Sequence, residues 1–234
     1  MSKIKAVVFD AGYTLLRPCM DEWFFPPRFF EYVNQGDFES LSKEEYSRAY
    51  GAGYDYLDVI HDRVKTEEEE LLQFEGFFAA FSREVPRLNM TSRVCRALAE
   101  DHTYNDGKFV FYDDVKESLA RLRKTYRLGV LSDTWPSLRR IFSNYGILDC
   151  FEAFVLSCDV GVFKPDPKIY EALIQSLKLP PEQVVFVDDV IKNLEGAERA
   201  GIRPVQILRK NFPRGKYPVV KNLTELESYL QNQE

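Results

Sequence analysis

Short apolar runs of nearly constant length recur along the chain: "AVVF" (6–9), "LGVL" (128–131), "AFVL" (153–156), "VVFV" (184–187) and "PVQIL" (204–208). Each is too short for a helix, is rich in Val, Leu, Ile or Phe, and ends against turn-forming or polar residues. Continuous apolar runs of this kind mark strands buried on both faces. Between the later runs the apolar positions fall at helical spacing instead, in "DDVKESLARLRKTY" (113–126), "WPSLRRIFSNYGI" (135–147), "PKIYEALIQSLKL" (167–179) and "IKNLEGAERAG" (191–201). The last of these closes on a glycine suited to a helix C-terminus. Strand alternating with helix predicts an α/β fold, a Rossmann-like parallel sheet with helices on both faces.

The first run stands apart from the second by roughly a hundred residues with no comparable strand pattern. That stretch is aromatic and helical in character, as in "EWFFPPRFFEYV", "SKEEYSRAYGAGYDYLDVI", "EEEELLQFEGFFAAFSREV" and "TSRVCRALAED". It is expected to be an inserted α-helical domain over 17–110, with 1–16 and 111–234 forming the α/β core. Trp23, Phe24 and Phe25 read as helix core, with the lining of a substrate pocket as the alternative. The "EEEE" run at 67–70 reads as a solvated helix face.

Composition narrows the class. With 234 residues, 45% of them hydrophobic, the chain can bury a substantial core. A formal charge of −6 argues against nucleic acid and anionic membranes as partners. Cys19, Cys95, Cys150 and Cys158 show no CxxC spacing, so neither a zinc cage nor a disulfide framework is indicated, and reduced thiols in a cytoplasm are expected. "MSKIKAVVFD" has no signal-peptide character, and no apolar stretch reaches the roughly 20 residues of a membrane span. His61 and His102, the two histidines, lack any metal-ligand spacing and read as structural.

Candidate chemistry collects at the carboxyl ends of the predicted strands, where ligands bind in open parallel sheets. Asp10 follows the first run, Ser132 and Asp133 the second, and Asp188 and Asp189 the fourth, while Lys164 lies in the loop beyond the third. Singly, each has a plain reading: a helix cap for Asp10, Asp188 or Asp189, a turn residue for Ser132, a surface side chain for Lys164. Together they are more specific. Clustered carboxylates raise one another's pKa or call for a cation, and hard oxygen ligands without histidine or cysteine select Mg²⁺. Lys164 and the Ser132 hydroxyl supply the charge and the donor that a phosphoryl oxygen needs.

These stretches resemble the haloacid dehalogenase superfamily of hydrolases: "VVFDAGYTLL" its first motif, "LGVLSDT" the second, "KPDPKIY" the third region and "VVFVDDVIKNLEGAERAG" the fourth, in the family's order. The helical insertion resembles the family's cap placed after the first strand. The resemblance implies that Asp10 is a nucleophile forming an aspartyl-phosphate, that Ser132, Asp133 and Lys164 hold the phosphoryl group, and that Asp10, the Gly12 carbonyl, Asp188 and Asp189 surround Mg²⁺. Which of Asp188 and Asp189 binds the metal directly stays open. The implied substrate is a small phosphorylated metabolite, and a homodimer is left open.

One position departs from the family pattern. Its phosphatases usually carry a second Asp two residues after the nucleophile, as general acid and then base; here that residue is Gly12. Proton transfer of this kind contributes typically 10²–10⁴-fold. A leaving group that needs little protonation, such as that of a sugar 1-phosphate or acyl phosphate, an acid from the insertion (Asp21 or Glu22), or a slow enzyme would each accommodate the glycine. A non-catalytic phospholigand-binding member is the alternative, and a metal-independent 2-haloacid dehalogenase a further one. In the dehalogenases the first motif resembles Asp-x-Tyr-Gly-Thr, whereas glycine and tyrosine are exchanged here as Gly12 and Tyr13. The chain is more similar to superfamily phosphatases with glycine at this place and a double-Asp fourth motif.

Overall fold

The computed structural model describes residues 3–60 and 63–232, the side chains of 59 and 60 excepted; His61 lies outside the described residues. In chain order the elements are β1 (Ala6–Phe9), β2 (Leu16–Pro18), α1 (Phe29–Tyr32), α2 (Gln35–Glu39), α3 (Lys43–Ile60), α4 (Glu67–Glu84), α5 (Ser92–Tyr104), β3 (Phe109–Phe111), α6 (Val115–Leu122) and β4 (Arg127–Ser132). They continue with α7 (Ser137–Tyr145), β5 (Ala153–Leu156), α8 (Ser157–Val160), α9 (Pro167–Leu177), β6 (Val184–Asp188), α10 (Ile191–Arg199), β7 (Arg203–Ile207), β8 (Val219–Val220) and α11 (Leu223–Gln231). Two compact units result, one of Met1–Arg17, Val110–Thr134 and Leu138–Glu234, the other of Pro18–Phe109 with Trp135–Ser137.

The first unit is an α/β body around a six-stranded parallel sheet of order β5-β4-β1-β6-β7-β8. Strands β1 and β6 are buried at every position, and β4 at all but its first, as continuous apolar runs require. From β1 the chain adds β4 and β5 on one side, then returns to add β6, β7 and β8 on the other. The winding therefore reverses beside β1, whose carboxyl end is the place where such sheets bind ligands. Tight packing fixes α10 against α9: a Cβ on Gly196 would lie 2.6 Å from the Tyr170 hydroxyl and 2.9 Å from Pro165, so only glycine fits. Elements without a sequence expectation are the two-stranded sheet of β2 and β3, the short α8, the two-residue β8, and α11.

The second unit is helical, with a core of aromatic rings. Phe74, Phe77, Phe78 and Phe81 repeat at i, i+3, i+4 and i+7 of α4 and are all fully buried. Each contributes about 1.5–3 kcal/mol relative to an exposed ring. Two expectations are corrected here. The stretch 19–28, read as helix, is irregular, because Pro26 and Pro27 disfavour helix before them, and α1 begins only at Phe29. Phe25 is buried in this core and Phe24 packs against it. The "EEEE" run is not one solvated face: Glu70 is fully buried. Its carboxylate accepts from Lys108 Nζ at 3.1 Å, from the Ser137 hydroxyl at 2.7 Å and from the Ser137 backbone N–H at 2.9 Å. Glu69 instead completes a capping box with Thr66.

His102 is buried against the Phe74 ring, the centroids 3.5 Å apart. Burial first, and the Lys108 charge second, hold its pKa well below the ordinary 6.5. A depressed base is neutral when folded and takes up a proton when unfolded, so stability is full above the unfolded pKa and is lost as pH falls beneath it. The slope is up to about 1.4 kcal/mol per pH unit for one group. Both tryptophans, Trp23 and Trp135, belong to this unit. Urea titrations followed by their fluorescence are expected to show the midpoint falling more steeply below pH 6.5 in the parent chain than in His102→Asn. Equal slopes would remove His102 as the cause.

Candidate active site

Asp10 stands one residue past β1, its backbone N–H donating to the Val187 carbonyl at 2.9 Å, so pairing with β6 fixes where its carboxylate starts. Asp188 ends β6 itself and Ser132 ends β4. These strands flank β1 on either side, which is how residues far apart in sequence come to one edge. Lys164 arrives from the segment between α8 and α9. Its ammonium donates to Asp10 Oδ1 at 2.6 Å, to Asp188 Oδ2 at 2.8 Å and to the Leu131 carbonyl at 3.3 Å. Three acceptors satisfy its three protons, as burial of the side chain to 1% exposure demands.

The carboxylates are held from behind. Asp188 Oδ1 accepts from the Val190 backbone N–H at 2.7 Å and Oδ2 from Asn193 Nδ2 at 3.1 Å, both at the start of α10. Asp133 turns its carboxylate to the Lys164 backbone N–H, 2.9 Å away. Oxygens of Asp10, Asp188 and Asp189 lie within 4.8 Å of one another. Of the seven residues singled out from sequence, Asp10, Lys164, Asp188 and Asp189 thus converge, and Asp133 braces the chain at Lys164. Ser132 is buried at the end of the adjacent strand. Gly12 sits in the turn after Asp10, half-buried, and not at a positive φ. Asp21 and Glu22 lie in irregular backbone of the helical unit.

Three carboxylates against one ammonium leave a local surplus of negative charge. Burial chiefly, opposed by Lys164 and reinforced by Asp188, pushes the Asp10 pKa up to about 7. Burial together with Asp188 and Asp10 pushes Asp189 up to about 8. The Lys164 pKa is raised as well, which keeps this group charged: desolvation works against its charge, yet Asp10, Asp188 and Asp133 hold its pKa well above 10.5. A cluster of this charge, made only of hard oxygen donors, fits a divalent cation such as Mg²⁺ far better than zinc or copper.

Two further buried polar side chains brace the strand ends without having been expected. The Ser157 hydroxyl, fully buried, accepts from the Thr134 backbone N–H at 2.8 Å, fixing the residue after Asp133. Gln206, also fully buried, donates to the Asp189 carbonyl at 3.1 Å. Both were marked in the sequence: Ser157 follows "AFVL" as Ser132 follows "LGVL", and Gln206 is the lone polar residue inside "PVQIL".

A family model for haloacid dehalogenase-like hydrolases matches residues 4–201. Among curated proteins, a glyceraldehyde 3-phosphate phosphatase of Methanopyrus kandleri is 36% identical over 124 residues, 49% of this chain and 49% of that protein, so the match spans about half of its length. Among solved structures, a HAD phosphatase from Thermococcus onnurineus superposes with a TM-score of 0.64 at 24% identity, over 97% of this chain and 98% of that one. An L-2-haloacid dehalogenase from Xanthobacter autotrophicus does so with a TM-score of 0.66 at 19% identity, over 99% and 100%. These two likenesses speak for the fold alone. The family match covers both the strand that carries Asp10 and the one that carries Asp188, and the chain belongs to the haloacid dehalogenase-like hydrolases.

Proposed function

We propose that the protein is a Mg²⁺-dependent phosphatase of small phosphorylated metabolites, working through an aspartyl-phosphate on Asp10. The observation that carries this reading is Lys164 held between Asp10 and Asp188 beside the third carboxylate of Asp189. A dehalogenase needs no cation, and three buried carboxylates would repel its anionic substrate, whereas the same cluster suits a cation that offsets phosphate charge.

In the proposed reaction an Asp10 oxygen attacks phosphorus in line, and the bond from phosphorus to the leaving oxygen breaks. Lys164 holds the other Asp10 oxygen and offsets charge on the phosphoryl group, and the Ser132 hydroxyl donates to it. Water then attacks phosphorus, the bond from phosphorus to the Asp10 oxygen breaks, and inorganic phosphate leaves with Asp10 regenerated; over the two steps one proton of the water ends on the leaving-group oxygen and the other stays on the phosphate. Asp10, Asp188, Asp189 and the Gly12 carbonyl are the groups that would hold Mg²⁺; bound, the ion orients the phosphate and neutralises charge. Asp133 supports the phosphate site by fixing the chain at Lys164. In this reading the inserted helical unit is a cap that selects the substrate. The relative from Methanopyrus kandleri, a glyceraldehyde 3-phosphate phosphatase, favours small phosphate esters. A reducing cytoplasm is the proposed compartment, and no described helix is long and apolar enough to cross a membrane.

A panel of phosphorylated metabolites, assayed for phosphate release with Mg²⁺ and with EDTA, tests the proposal. Turnover is expected with the metal and lost with the chelator; ligand binding without release would mark a non-catalytic member instead. Gly12 adds a finer test. Its backbone is outside the left-handed region, so an aspartate there meets no conformational barrier. Gly12→Asp is expected to speed hydrolysis of esters with high-pKa alcohols by about 10²-fold, with little change for acyl phosphates. An unchanged rate across leaving groups of graded pKa would show that proton transfer does not limit this enzyme.

A further inference from the structure

We propose that Arg209 is a positioning residue for this reaction: from outside the carboxylate cluster, its guanidinium pins the turn that follows Asp10. The inference rests on the functional reading above, in that it assigns Arg209 a part in the same site.

The turn itself is tight. The N–H groups of Leu15 and Leu16 both donate to the Ala11 carbonyl, at 2.9 and 3.0 Å, and the Tyr13 N–H donates to the Leu16 carbonyl at 2.7 Å. Closing it places Tyr13 at φ 48°, a left-handed conformation that a bulky residue keeps only when its surroundings impose it. Arg209 reaches this turn at the Thr14 carbonyl. Nε and Nη2 both donate to this carbonyl, at 3.2 and 3.1 Å.

The guanidinium is itself immobilised. Nη1 donates to Asp114 at 3.0 Å, Cζ lies 4.2 Å from the Tyr112 ring centre, and the side chain is 7% exposed. The segment that carries it is tied down in turn by Gln206, which donates to the Pro213 carbonyl at 2.9 Å and accepts from the Gly215 N–H at 2.8 Å. Through its third bond, to the Asp189 carbonyl, Gln206 joins the same segment to the loop after β6. Phe212 meets the Tyr13 ring edge-on at 5.2 Å and Lys210 lies 4.7 Å from it. One stretch of chain therefore grips both the turn after the nucleophile and the backbone of a carboxylate in the cluster. A planar fork making two bonds to one carbonyl is a geometry that lysine cannot reproduce.

The test compares Arg209→Lys and Arg209→Met with the parent chain, using p-nitrophenyl phosphate with Mg²⁺ and, separately, amide hydrogen exchange over residues 11–16. Groups that orient reacting residues typically cost about 10–100-fold when removed. A fall in kcat of that size is expected with KM nearly constant, together with faster exchange in 11–16 and parental protection in β4 and β6. If KM rises at constant kcat, Arg209 touches substrate and the positioning role is overturned. Unchanged kcat and exchange in folded variants would overturn it equally. Should both variants fail to fold, Asp114→Asn, which loosens the guanidinium while leaving the arginine in place, carries the test: accelerated exchange in 11–16 supports the proposal, and parental exchange there ends it. Failure of the phosphatase reading is seen separately, as a parent chain without turnover or an Asp10→Asn variant with undiminished turnover, and the exchange result stands apart from both.

Discussion

Asp10→Asn is expected to abolish phosphate release, by about 10⁵-fold or more, while the folded protein melts at the same temperature or a higher one at pH 8 without divalent ions. The loss follows from the chemistry: an amide oxygen cannot serve as the nucleophile, and single knock-outs of a nucleophile reach about 10⁶-fold in other hydrolases. The stability follows from the site's charge. Asp10 is 7% exposed and its pKa is pushed up to about 7, chiefly by burial. An acid whose folded pKa is raised is most favourable below its unfolded value, and that contribution is lost as pH rises through the folded one. At pH 8 the ionised carboxylate therefore works against folding, and the neutral amide removes that cost while Lys164 keeps Asp188 as its partner. Functional sites commonly carry such a stability cost. Thermal melts beside a phosphate-release assay check both halves. Retained turnover would end the nucleophile assignment. A lower melting temperature would show that Asp10 chiefly stabilises the fold.

The parallel sheet was legible because its strands are buried on both faces, and a buried strand writes itself as an unbroken apolar run. The carboxylates were legible for the complementary reason: each follows such a run directly, so the sheet had to bring them to one edge. Glu70 shows where this reasoning stops. In "EEEE" four identical residues differ only by their angle around α4, and the one that turns inward is decided by Lys108 and Ser137, 38 and 67 residues away in sequence. Arg209 is of the same kind, its contact with Thr14 spanning 195 residues. Pro26 and Pro27 lie in the sequence as plain helix breakers, yet the aromatic density around them suggested a helix. The spacing of Leu223, Leu226 and Leu230 behind Asn222 carries the ordinary marks of a capped helix, α11. The two-residue strand β8 has no pattern to read, being made by its pairing with β7.

Removing Lys164 is expected to have the largest effect on stability, and the effect should depend on pH with a definite sign. Lys164→Met leaves Asp10 and Asp188 buried without the ammonium that bridges them at 2.6 and 2.8 Å, with Asp189 adjoining. Breaking a buried pair from one side costs about 3–5 kcal/mol, because the abandoned charges remain. They need not remain charged. Asp10 and Asp189 already bind protons up to about pH 7 and 8 with Lys164 present, and its loss moves them further up. The destabilisation is therefore full near pH 8 and shrinks toward pH 5, where protonated carboxyls no longer repel. Millimolar Mg²⁺ should restore part of the melting temperature at pH 8, as a cation standing in for the missing charge. Turnover should fall by about 10²–10³-fold even with the metal, since no fixed charge then faces the phosphoryl group. Melting curves from pH 5 to 8, with EDTA and with Mg²⁺, measure all of this. A destabilisation independent of pH would mean that the aliphatic stem of Lys164, packed in the loop between α8 and α9, matters more than its ammonium.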